Sequence, residues 1–89
     1  MYIKNSAVIE HKTESFDILF DSGNDIVAIL NKEFEIIWDE LPFSEDELEV
    51  IMRNLYDNEY YERYSYEDLR QAVLNCIITL EEKKFICNE

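Results

Sequence analysis

The chain reads as an α+β protein: an antiparallel β-meander of three to four strands followed by two α-helices, with a short strand at the end. Three observations predict this. Apolar and polar residues alternate through the first half. Pro42 then closes the strand region. After it come two helix-start signals, each leading into apolar residues at helical spacing.

The strands come first. "SAVIEHK" (6–12) and "FDILFD" (16–21) are rich in β-branched and aromatic residues, with Phe16, Ile18 and Phe20 in alternation. "SGND" (22–25) holds the only glycine and precedes "DIVAILN" (25–31), which is a hairpin signal. "NKEF" (31–34) reads as a second turn. "FEIIWDE" (34–40) then reads as the next strand, with Phe34, Ile36 and Trp38 on one face and Ile37 on the other. The opening "MYIKN" reads as an extension of the first strand.

The helices follow. In "FSEDEL" (43–48), Ser44 stands as N-cap and Glu47 three residues later, a capping box, with Phe43 and Leu48 placed as a hydrophobic staple. Leu48, Ile51, Met52, Leu55 and Tyr56 form the stripe behind it. "YSYEDL" (64–69) repeats the arrangement: Ser65 caps, Asp68 stands at the third position and Tyr64 pairs with Leu69. Leu69, Ala72, Val73, Cys76, Ile77 and Leu80 form its stripe. Leu74 and Ile78 lie off that stripe, so this helix is expected to be central or to carry a dimer face. "FIC" (85–87) reads as the last strand.

Eighty-nine residues make one expected domain, residues 1–89. Its net charge of −13 comes from 21 acidic and 8 basic residues. That balance excludes ordinary binding to nucleic acid, which needs cations against phosphate, and disfavours anionic membranes. It favours a basic partner. No apolar run approaches the ~18 residues of a membrane span, and no signal peptide opens the chain. Cys76 and Cys87 form no C-x-x-C pair and read as free, buried thiols of a reducing compartment. The expected location is the cytoplasm.

Catalytic chemistry finds little support. His11 is the only histidine, too little for a catalytic triad or a typical zinc site. "DSGND" (21–25) departs from a calcium loop: its glycine comes too early and no glutamate closes a twelve-residue loop. One glycine leaves no phosphate-cradling loop. The expectation is a non-enzyme without metal or cofactor.

The distribution of charge says more. Residues 39–68 hold eleven acids and two bases, whereas 69–89 balance at three and three. Glu45, Asp46 and Glu47 suit a helix first turn, as do Glu67 and Asp68. Asp39, Glu40, Glu49, Asp57, Glu59 and Glu62 have no such reason, and like charges at helical spacing cost a few tenths of a kcal/mol each. The same region contains "YDNEYYERYSY" (56–66). Tyr56 fits the first helix stripe and Tyr64 the staple, while Tyr60, Tyr61 and Tyr66 have no packing role assigned. A tyrosine ring gives stiff contact area and attracts guanidinium or ammonium groups, though a packed interhelical corner explains these tyrosines equally well. The expected partner surface is therefore Asp39, Glu40, Glu45, Asp46, Glu49, Asp57, Glu59, Tyr60, Tyr61, Glu62, Tyr66 and Glu67.

In size, acidity, scarcity of cysteine and lack of a catalytic motif, the chain is similar to small phage-encoded DNA mimics, including anti-restriction and anti-CRISPR proteins. Carboxylates on neighbouring helix turns sit ~5–6 Å apart at Cβ, so an acidic helix face imitates a phosphate strand in sign and approximate pitch. The resemblance implies an inhibitor occupying the basic groove of a nucleic-acid-binding protein or nuclease complex in a host cytoplasm. It is carried by composition alone and transfers no residue. An immunity protein or antitoxin against a basic toxin nuclease uses the same physics. A dimeric adaptor, joined through Leu74 and Ile78 and acidic only for solubility, belongs to a different class.

Overall fold

In a computed structural model, strand β1 (Tyr2–Lys4) precedes strands β2 (Val8–Lys12), β3 (Phe16–Asp21) and β4 (Ile26–Asn31). Helix α1 (Lys32–Asp39), helix α2 (Glu45–Leu55), a π-helical turn (Tyr56–Tyr60), helix α3 (Tyr66–Glu82) and strand β5 (Ile86–Asn88) follow. Residues 1–89 are described, the side chain of Glu33 excepted.

The meander forms in the expected order, β2–β3–β4, antiparallel throughout. Two short polar turns make it. Thr13 closes the first: its Oγ1 donates to the Phe16 carbonyl and accepts from the Phe16 N–H. Asp21 closes the second, its carboxylate accepting from the Gly23 N–H at 3.0 Å and from the Asn24 amide at 2.9 Å. The residue in the left-handed region is Asp25, φ 55°, rather than the glycine. Asp readily adopts that conformation in a turn. At Gly23 the constraint is space, since a Cβ would meet Asp21 Oδ1 at 3.3 Å.

Two expectations fail here. The opening residues do not extend β2. β1 pairs with β5 in a separate two-stranded sheet, Ile3 opposite Cys87, and bridges to Phe43. Asn5 breaks the strand: its side chain accepts from the Ala7 N–H and donates to the Lys84 carbonyl. Such local bonds by asparagine compete with a strand ladder.

Residues 34–40 do not form a strand either; 32–39 form α1. Phe34, Ile37, Trp38 and Leu41 are spaced for a helix as well as Phe34, Ile36 and Trp38 are for a strand. Asn31 caps the helix start, its side chain accepting from the Phe34 N–H. Burial follows the helical reading: Ile37, Trp38 and Leu41 are buried and Ile36 is exposed.

The second half matches expectation closely. Ser44 and Glu47 make the capping box, and Phe43 and Leu48 are both buried beside it. Ser65 accepts from the Asp68 N–H. Leu48, Met52 and Leu55 of α2 pack in one core with Leu69, Val73, Ile77 and Leu80 of α3. Leu74 is partly buried against it, whereas Ile78 is exposed. Cys76 and Cys87 are free, as expected, but half-buried rather than buried. Among the described residues, no helix is long and apolar enough to cross a membrane.

α1 packs on β3 and β4, which gives the meander an inner face. Asp17, Leu19 and Asp21 of β3 point into it and are fully buried, so Phe16, Ile18 and Phe20 point the other way.

Candidate partner-binding surface

The acids of residues 39–68 do not share one continuous face. Asp39 is taken up internally: both its oxygens lie 2.9 Å from the Lys12 ammonium. Glu49, midway along α2, is bound from α3. Its Oε1 accepts from Arg70 Nη2 at 2.9 Å and Nε at 3.1 Å, and its Oε2 accepts from the Tyr66 hydroxyl at 3.1 Å. The Arg70 guanidinium holds the Glu49 carboxyl below the usual range. Burial, then the bond to Glu49, pushes the Tyr66 hydroxyl up. The ring of Tyr66 is engaged too: the Arg53 guanidinium lies 3.9 Å from its centroid, and Tyr56 packs edge-on at 5.6 Å. The protein's own arginines thus fill the receiving geometry expected of tyrosines and carboxylates.

This neutralised centre divides the remaining acids. Glu45 and Asp46 stay exposed at the start of α2, where the helix dipole favours them. Glu45 faces β1: behind burial, its charge and that of Glu81 raise the Tyr2 hydroxyl. The eleven residues of α2 carry the chain about 16 Å from there to the π-helical turn. Around that turn stand Glu40, Asp57, Glu59 and Glu62, all exposed and, among the described residues, without an ion pair. Glu67 is exposed in the first turn of α3.

Two tyrosine assignments reverse. Tyr60, expected at the partner surface, is 4% exposed and belongs to the core. Tyr64, expected in packing, is 48% exposed. The π-helical turn accounts for Tyr60, because its wider winding shifts the stripe that a continuous α-helix would present. Tyr61 is exposed, as expected. Arg63 lies over the rings of Tyr60 and Tyr64, 5.8 and 6.0 Å from their centroids.

Two grooves flank the turn and meet at Leu55. One, of about 360 Å³, has walls from Phe34, Tyr60, Tyr64 and Leu69, with the Asp68 carboxylate among them. The other, of about 260 Å³, brings Glu40 and Glu59 together with Ile36 and Asn58. An apolar floor beside carboxylates suits the stem and head of a lysine or arginine.

A second acidic cluster gathers around the buried Asp17, with the more exposed Glu10 and Asp39 at its rim. Glu10, Asp17 and Asp39 bring carboxylate oxygens within 4.8 Å of one another, a spacing that could hold a cation. Glu35 stands close by, and Lys12 spans Asp39 and Glu35, the latter at 3.3 Å. Neither oxygen of Asp17 receives a donor, nor does Oε2 of Glu10. Burial, ahead of Glu10 and Glu35, pushes Asp17 up to about 7. In its protonated form Asp17 can itself act as a donor in this cluster.

Sequence reading missed this cluster and the shared grooves. The alternation of Asp17, Leu19 and Asp21 against Phe16, Ile18 and Phe20 was visible, but only α1 decides which set is inside. Comparison with family models, curated proteins and solved structures finds no match to the chain.

Proposed function

We propose that this is a non-enzymatic inhibitor that docks its acidic π-turn surface into the basic groove of a nucleic-acid-binding protein. The observation that carries this reading is the group Glu40, Asp57, Glu59 and Glu62, exposed and, among the described residues, without ion pairs, around two grooves. Carboxylates that follow the end of a helix sit against its dipole, so fold stability gives no reason for Asp57 and Glu59 there. Glu40 and Glu59 supply charge to a guanidinium or ammonium group. Tyr61 and Tyr64 supply aromatic contact area, and Tyr64 with Phe34 forms a slot for the partner's aliphatic stem. Bound this way, the protein excludes nucleic acid from the cations it covers. The phage-encoded DNA mimics, of anti-CRISPR or anti-restriction type, are the class that this reading fits.

The experiment is affinity capture from a nuclease-treated bacterial lysate, with elution by salt and then by competitor DNA. A nucleic-acid-binding protein released by both supports the reading and identifies its target. Partners indifferent to both, or none at all, overturn it.

A further inference from the structure

From the uncovered face of the meander, we propose that the protein pairs with a second copy of itself through the outer side of β2–β3–β4, leaving the acidic π-turn surface free. The face follows from register. Ile9 lies opposite Phe20, which lies opposite Val27, and Ile18 lies opposite Ile29. Side chains of directly opposed residues share a face, so these five and Phe16 stand together. Ile29 is 64% exposed, Ile9 59% and Val27 51%. α1 lies against the other side of this sheet.

Two observations select a second copy as the occupant. The first is charge. The strand residues of the face include His11 and Asn31 at its margins but no Asp, Glu, Lys or Arg, and Lys83 lines the groove beside Val27 and Ile29. A basic partner finds nothing to pair with there. For a chain of net charge −13, it is the surface on which two copies meet with least repulsion. Ile78 on α3 offers no comparable patch, since its apolar neighbour Leu74 is already partly buried against the core and Gln71, Asn75 and Glu82 around it are exposed and polar. The second is area. At 150–250 Å² for an aromatic and somewhat less for an aliphatic side chain, these exposures leave on the order of 400 Å² of apolar surface. That is the size of the largest patch on a typical monomer, and about half the ~800 Å² per partner of a standard interface. With a polar rim, it makes the apolar centre of a two-fold, face-to-face pairing of sheets at the weak end of the stable range.

Such a dimer responds to salt in the opposite sense to the acidic surface. Salt screens the repulsion between two −13 chains and strengthens self-association, while it weakens any complex with a basic partner.

Sedimentation equilibrium of the full chain from micromolar to millimolar concentration, at low and high salt, tests this. The expected result is a monomer–dimer equilibrium with Kd on the order of 1–100 µM, several-fold tighter at high salt. Ile29→Lys and Ile9→Lys, both at strongly exposed positions on opposite edges of the sheet, should each weaken it at least tenfold. Amide shifts of the unmodified chain on dilution give a check that needs no variant, and they should concentrate in residues 8–31. A chain monomeric up to millimolar concentration overturns the proposal. So does a dimer whose dilution shifts fall on α3 and which Ile78→Lys abolishes. Either failure leaves the basic-partner reading standing, because that rests on other residues and on the reverse salt dependence.

Discussion

At the scale of single residues, Asp17 gives the clearest pH dependence. Its folded form keeps a proton up to about pH 7, whereas an unfolded aspartate releases it near ~4. Between those values the native state binds more protons than the unfolded one, so this residue's contribution to stability falls as pH rises. Below the window both states are protonated and the penalty vanishes. Above it the penalty is complete. Asp17→Asn keeps the shape and offers Glu10 a permanent donor, so it should stabilise the fold by about 1–3 kcal/mol at pH 8 and have little effect near pH 4. Urea midpoints at the two pH values read this directly; equal shifts at both would show that folding does not raise the Asp17 pKa. Glu49 has the opposite sign. Its lowered pKa adds stability above the ordinary glutamate range, lost as pH falls. Being about half exposed, the Arg70 pair is worth no more than a surface ion pair, about 0–1 kcal/mol. At the proposed partner surface, Tyr64→Ala and Tyr61→Ala should speed dissociation of a captured target with little change in association, because aromatic anchors act through off-rates. Binding kinetics of the two variants against the identified target measure it.

At the scale of elements, α1 tests the physical account of the fold. As a helix it buries Ile37 and exposes Ile36; as a strand it would do the reverse. Ile37→Glu should therefore cost 3 kcal/mol or more by placing an unpaired charge in the core, with Ile36→Glu costing less than about 1. Thermal melts of the two variants decide between the packings. This element also shows where sequence stops being legible. "FEIIWDE" satisfies both periods, and what resolves it is a tertiary fact: the packing of Ile37, Trp38 and Leu41 into the core beside β3 and β4. By contrast, Ser44–Glu47 and Ser65–Asp68 were legible because a cap and its helix lie within four residues of each other. The hairpins were legible for the same reason. β1 was not, since its partner lies more than eighty residues away. The acidic surface was half legible. Composition located the excess of carboxylates, but Arg70 closing on Glu49, Lys12 on Asp39 and the π-helical shift of Tyr60 are all contacts made in space.

At the scale of the whole molecule, the net charge of −13 sets two measurable quantities against each other. Self-repulsion opposes folding, so salt should stabilise the isolated chain, by on the order of 1 kcal/mol between low and molar ionic strength. The same salt should dissociate the proposed basic partner. Asp57→Lys/Glu59→Lys/Glu62→Lys separates the two. It removes three carboxylates that have no ion pair among the described residues and places cations after the end of α2, where the helix dipole favours them. If those acids serve the partner, the triple variant should be as stable as the parent or more so, with a weaker salt dependence of its urea midpoint, and should not retain the target. Retention of the target by a folded triple variant would place the binding surface elsewhere, with Glu45 and Asp46 at the far end of α2 the next exposed acids to reverse. Loss of stability together with binding would mean that these carboxylates hold the π-helical turn in place. In that case Glu40→Lys, which changes the wall of the neighbouring groove from α1 without touching the turn, is the variant that reads the charge alone.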